Sequence, residues 1–135
     1  MPEKIYMISC REDLVGLGMG RMRTSVDGLD EAMLSLDWSK VRFVPVVAAE
    51  KVNFQIGESK IVTIKPIAVP AYSIVFQSFY GSNGMGDLGC IGCMEMKLYY
   101  EDKTANKSMF SSRINASVLP GDLLGQVLIV PGKKL

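Results

Sequence analysis

The chain has 135 residues, 48% hydrophobic and 21% charged, a balance that excludes a disordered polymer and suits one compact core. Fifteen basic and fourteen acidic residues leave a formal charge of +1. The densest basic groupings are Arg21 with Arg23 and Lys133 with Lys134, so no basic stripe favours a nucleic-acid partner. There is no histidine, which excludes Ser-His-Asp and Cys-His triads and every imidazole-ligated metal.

The opening segment, Met1-Pro-Glu-Lys-Ile-Tyr-Met7, lacks the apolar core of a signal peptide. No apolar run approaches the ~18 residues of a membrane span. A cytoplasmic protein, or a virion component, with no membrane partner is expected. Three cysteines make no disulfide framework. The glycosylation patterns at Asn106 and Asn115 are, without a secretory route, chance matches.

Lys4–Cys10 reads as a strand, followed by the flexible Gly16–Gly20 loop. Ser25–Trp38 is expected to hold one short helix, because Val26, Leu29, Met33 and Leu36 recur at helical spacing. Ser25 or Asp27 would cap it, and Gly28 limits it to two or three turns. From Val41 the pattern turns to β. Strands are expected over Val41–Ala49, Lys51–Ile56, Lys60–Val69 and Tyr72–Phe79, with Gly57-Glu-Ser59 as a hairpin turn. Tyr80–Gly89 is rich in turn residues. Cys93–Tyr100 has the clearest two-residue period, with Met94, Met96, Leu98 and Tyr100 on one face. Glu101–Lys107 reads as a polar loop, and Ser108–Val118 and Gly125–Val130 as the last strands. Leu119-Pro-Gly-Asp122 between them has the order of a type II turn. The expected fold is mainly β: one domain over 1–135, a sandwich or small barrel, with an N-terminal segment (1–40) and a β core (41–135).

Gly84-Met-Gly-Asp-Leu-Gly89 matches the letters of a dinucleotide-binding loop. Such a loop must open a helix whose N-terminus holds the pyrophosphate, and here a strand is expected instead, so a β connection is the better reading. Cys90-Ile-Gly-Cys93 is a C-x-x-C pair that leads into a strand rather than a helix. Cys10 would make a third thiolate, and a structural zinc site needs a fourth ligand. Six methionines (Met19, Met22, Met85, Met94, Met96 and Met109) either fill a core or line a plastic contact surface.

The motif order from residue 56 resembles the deoxyuridine triphosphatase (dUTPase) family and its β-clip relatives. The resemblance rests on Ile56-Gly-Glu58, Ile67-Ala-Val-Pro70, Gln77-Ser78, the Gly84/Asp87/Gly92 spacing, and Leu119-Pro-Gly-Asp-Leu-Leu-Gly-Gln126 running on to Pro131. A small archaeal family of unknown function, with a Gly-Asp-Leu-Leu-Gly ending, is similar too. The resemblance implies trimers, a phosphate site at Gln77-Ser78, and Asp87 in the role of water-activating carboxylate. Departures are plain: Gln77 replaces an arginine, and Cys90 and Ile91 replace the uracil-stacking tyrosine and its neighbouring arginine. The N-terminal Asp-Ala-Gly-type motif and the glycine-rich C-terminal arm have no counterpart.

These observations favour a non-catalytic structural or interaction module: a homo-oligomeric β assembly of virion, phage or archaeal-scaffold type, with no cofactor. Val127–Val130, apolar on both faces, would be the element shared between copies. One alternative is a dUTPase-like nucleotide-binding or nucleotide-hydrolysing protein using Ser78, Gly84, Gly86, Asp87 and Gln126. Another is a thiolate metal or redox module using Cys90, Cys93 and Cys10.

Overall fold

The computed structural model describes residues 2–10, 29–77, 84–95 and 97–135, with the backbone alone for 2–10 and 29–31. The described chain is mainly β, in several sheets of which none closes on itself. Strands β1 (Pro2–Cys10), β2 (Leu29–Asp37) and β11 (Gly132–Lys134) form one three-stranded sheet with β2 in the middle. A second contains β3 (Arg42–Val47), β10 (Leu123–Val130) and β6 (Ile74–Gln77), with β10 central. A third has β5 (Ser59–Val69), β8 (Lys103–Ser112) and β7 (Gly86–Gly92), with β8 central. The short β4 (Val52–Phe54) and β9 (Ala116–Val118) pair with each other. Among the described residues, no helix is long and apolar enough to cross a membrane.

The helix expected over Ser25–Trp38 is replaced, in its described part, by a strand. Residues 29–37 pair along their whole length with β1, and Gly132–Lys134 occupies the opposite edge. The helical stripe and a strand alternation share Leu36, but only the alternation explains why both Leu34 and Leu36 are buried. Pairing on both edges satisfies the backbone along the strand, and so overrides the weak local preference for helix. Helical structure nearby amounts to one 3₁₀ turn, Trp38–Lys40, capped by the Asp37 carboxylate, which accepts from the Ser39 N–H at 3.1 Å.

The hydrophobic core lies between the sheets. Val46, Val62, Ile64, Leu88, Phe110, Val118, Leu124, Val127 and Ile129 are all buried in one cluster. Phe54 meets Phe110 edge to face, with ring centroids 5.8 Å apart. In β5 the buried side changes partway: Val62 and Ile64 face in, then Ile67 and Val69. The register with β8 shifts between Thr63 and Ile67, and Pro66, which has no ladder N–H to donate, falls in this irregular stretch. That shift turns Ile67 inward, where strict alternation would leave it outside.

Several other expectations are corrected. Gly57 does sit in a turn, with Glu58 N–H donating to the Gln55 carbonyl and Gly57 at φ +84°. It joins two ladders rather than forming a hairpin, because β4 pairs with β9 and β5 with β8. The polar stretch Lys103–Lys107 belongs to β8, where Thr104 and Asn106 are exposed and Ala105 between them is buried. Ser108–Val118 is broken at Arg113–Asn115 into β8 and β9. Of the Tyr80–Gly89 stretch expected as a turn, residues 80–83 lie outside the described residues and Gly86–Gly89 belong to strand β7; Cys93–Tyr100, expected as a strand, is irregular in its described part. Val127–Val130 is no free edge: β3 and β6 pair with it on either side. The Pro120-Gly121 turn forms as expected, with Gly121 at φ +93° and Asp122 N–H donating to the Leu119 carbonyl.

Gly86 shows why β7 needs glycine. A Cβ there would lie 2.0 Å from the Ser111 carbonyl oxygen of β8, whereas one at Gly92 would meet nothing within 4 Å. Backbone cannot retreat as a flexible side chain can. Gly86→Ala should therefore cost about 2 kcal/mol or more, and Gly92→Ala should stay within about 1 kcal/mol of the parent in chemical denaturation. Equal costs at the two positions would contradict this packing.

Candidate functional site

Two features of the described surface invite a functional reading: a cavity beside β8 and an aromatic sheet face. The cavity arises from the way β7 ends. Its ladder with β8 runs from Gly86↔Ser112 to Gly92↔Lys107 and stops. The first residues of β8 continue to pair with β5 on one side only, through Ile67↔Ala105, Ala68↔Thr104 and Val69↔Lys103. Beyond Gly92 a space of about 690 Å³ lies between residues 93, 95 and 97–99, the start of β8 and the start of β6. Val69, Leu98 and Ala105 are buried in its wall, with Ile74, Val75 and Ile91 half-buried beside them.

The described part of Cys93–Tyr100 forms no strand: the β7–β8 ladder ends at Gly92↔Lys107, and Lys103–Ala105 pair with β5 alone. Its structure is set by local bonds instead. The Glu101 carboxylate accepts from the Leu98 N–H at 2.7 Å, and the Glu101 N–H donates to the Leu98 carbonyl at 3.0 Å. Tyr99 offers its carbonyl to the Tyr72 N–H at 2.7 Å, and their rings meet edge to face. Tyr72 stands at φ +64° in the Pro70–Ser73 turn, a left-handed conformation that costs a non-glycine residue of order 1 kcal/mol. The Asp102 carboxylate holds that turn by accepting from the Ala71 N–H at 2.8 Å.

The polar groups of the cavity are unequal. Lys97 is paired with Glu95 at 3.4 Å. Lys103 Nζ donates to the Glu101 carbonyl at 3.1 Å, and among the described residues no carboxylate forms a salt bridge with it. Burial pushes the Lys103 ammonium below its ordinary value of 10.5, partly offset by Glu101, Asp102 and Cys93. Cys93 lines the same cavity and donates to the Glu95 carbonyl at 3.2 Å.

Residues singled out from the sequence lie elsewhere, apart from Cys93. Gly84, Gly86 and Asp87 are at the start of β7. Asp87 pairs with Arg113 at 2.5 Å, both side chains roughly half exposed. Gln126 belongs to β10, in another sheet, opposite Pro45. Gly84 shares a cleft with Asp122 and Leu123. Gln77 donates from its amide to the Leu88 and Gly89 carbonyls, tying β6 to β7. Ser78 lies outside the described residues. Cys90 is exposed, and the side chain of Cys10, at the end of β1, lies outside the described residues. Among the described residues no three His, Cys, Asp or Glu side chains are grouped to hold a metal.

The second feature is the outer face of the β3–β10–β6 sheet. Leu128 is registered opposite Phe43 on one side and Phe76 on the other, so the three form a row across the sheet. Trp38 stacks on Phe76 at 5.7 Å. Phe43 is 61% exposed, Phe76 41% and Trp38 38%. Neither this row nor Lys103 was visible as a site in the sequence, since the row depends on the pairing of three distant strands.

With this mainly β architecture in view, comparison with known proteins places the chain in a family. Residues 21–115 match the model of the Domain of unknown function DUF22, and the chain belongs to that family. It is also similar to the uncharacterized protein MJ0614 of Methanocaldococcus jannaschii, 27% identical over 96 residues, covering 71% of this chain and 74% of that protein. Both findings agree with the archaeal likeness noted from the motifs. No solved structure matches the chain.

The Lys103 environment yields a pH dependence. Its folded-state value lies below 10.5, so the folded protein carries the cost of a charged, partly desolvated ammonium at neutral pH. That cost is relieved as pH rises through the folded-state value towards 10.5. Lys103→Met should raise the melting temperature at pH 7, and the gain should shrink in alkaline buffer. A melting temperature at pH 7 equal to or below the parent's would contradict it.

Proposed function

We propose that this protein is a non-catalytic interaction module of the β-sandwich or β-clip type that assembles with copies of itself. The observation that supports the reading is the uncharged row Phe43–Leu128–Phe76 with Trp38 stacked beside it. Exposed aromatic surface at this density on a sheet face is costly in water and is the composition of an interface centre. A second copy suits it because an apolar face without charge can meet itself without like-charge repulsion. The resemblance to β-clip proteins favours a trimer.

The backbone edges of Val127–Val130 are paired within the chain, so this element would take part in assembly only through the outward side chain of Leu128. Light scattering at about 100 μM should return a multiple of the 14.8 kDa chain mass. Phe43→Glu should return the single-chain mass while unfolding as cooperatively as the parent. A parent protein that scatters as one chain at that concentration would refute the proposal.

A second reading is a dUTPase-like nucleotide-binding protein, supported by the half-exposed Asp87 and by the cleft that Gly84 shares with Asp122 and Leu123. Here dUTP with magnesium should raise the melting temperature, and Asp87→Asn should remove the effect. No shift with any deoxynucleotide would dismiss this reading and leave the first intact.

A further inference from the structure

We propose that the cavity beside β8 is a binding site for a small apolar carboxylate, its hydrocarbon part against Val75, Ile91, Leu98 and Ala105 and its carboxylate at Lys103. This inference uses none of the residues on the aromatic face and stands apart from the assembly reading.

Size and lining come first. A volume of about 690 Å³ lies within the range of small-molecule sites, which are concave, mostly apolar and furnished with a few convergent polar groups. The walls here fit that description, and their cause is structural rather than accidental: β7 leaves β8, and the vacated edge of Lys103–Ala105 becomes one wall. The opposite wall is anchored by Tyr99 and Asp102 on the Tyr72 turn, so the opening is braced on both sides.

Charge then selects the ligand. Two lysines line the cavity, but Glu95 neutralises Lys97. Lys103 donates to the Glu101 carbonyl and, among the described residues, forms no salt bridge, although Glu101 and Asp102 are near enough to favour its charge. A single ammonium without a direct carboxylate contact, set against an apolar wall, suits a monoanion with a hydrocarbon body. A nucleoside triphosphate would bring several negative charges, which one lysine cannot balance. A cationic ligand would meet repulsion. The ammonium is already partly desolvated, which lowers the cost of pairing with an arriving carboxylate beside the apolar wall.

The test is calorimetric titration of the full chain with octanoate, octan-1-ol and octylamine, three probes of one length and different charge. Octanoate should bind at least tenfold tighter than octylamine, with octanol between them. Lys103→Met should weaken octanoate tenfold or more and leave octanol unchanged. In a Cys10→Ala, Cys90→Ala background, octanoate should slow alkylation of Cys93 by iodoacetamide, which locates the ligand at the cavity. Ala105→Phe should abolish binding of all three by filling the space; if that variant does not fold, the Cys93 protection result decides the location. Equal affinity for octanoate and octylamine, undiminished octanoate binding by Lys103→Met, an unprotected Cys93, or no binding of octanoate would each overturn the proposal. The assembly state would be untouched by any of these results.

Discussion

The position of β10 constrains the rest of the molecule. Val127–Val130 is hydrogen-bonded to β3 on one side and β6 on the other, while Val127 and Ile129 are buried in the core. A strand apolar on both faces has three needs: partners for its backbone on each edge, cover for one face, and some fate for the other. Residues 42–47 and 74–77 meet the first. The core cluster around Val46, Ile64 and Phe110 meets the second. The outer face is left with Leu128 between two phenylalanines, and the proposed assembly follows from that remainder. Because the edges of β10 are occupied, association through this sheet must use its outer face or the outer edges of β3 and β6.

A second constraint operates at β7 and β8. Close approach of the two backbones demands glycine at Gly86, and Gly89 is also tight, with Met109 of β8 3.0–3.3 Å from where its Cβ would lie. Glycine lets the strands pack but weakens the strand itself, and the ladder ends at Gly92. Beyond it the chain takes a path set by Glu101, Tyr99 and the Tyr72 turn. The cavity is the consequence, and Lys103 projects from the strand edge that lost its partner. The partly buried ammonium is thus a product of strand topology, with a stability cost that a bound anion would offset.

Much of the β core was legible from the residues. Alternation of branched side chains located β3, β5 and β10, and the Pro120-Gly121 order foretold a turn that indeed has Gly121 in the left-handed region. What misled was local periodicity without knowledge of edges. The Ser25–Trp38 stripe fits a helix as well as a strand until β1 and β11 offer it two ladders. Cys93–Tyr100 alternates better than β7 does, yet β7 is the strand, because its glycines allow the close approach to β8 that the bulkier next segment does not make. Period two is necessary for a half-buried strand and cannot show whether a partner exists. The aromatic row and the Lys103 cavity were hidden for the same reason, since each is assembled from residues of several strands.

The account rests on β10 finding both of its neighbours inside a single chain. Amide hydrogen exchange at Val127–Val130, followed from high to low protein concentration, tests this directly. Slow exchange that persists unchanged on dilution is the predicted result. Protection that collapses as the protein is diluted would mean that these backbone partners come from another copy, and the sheet order described above would be wrong.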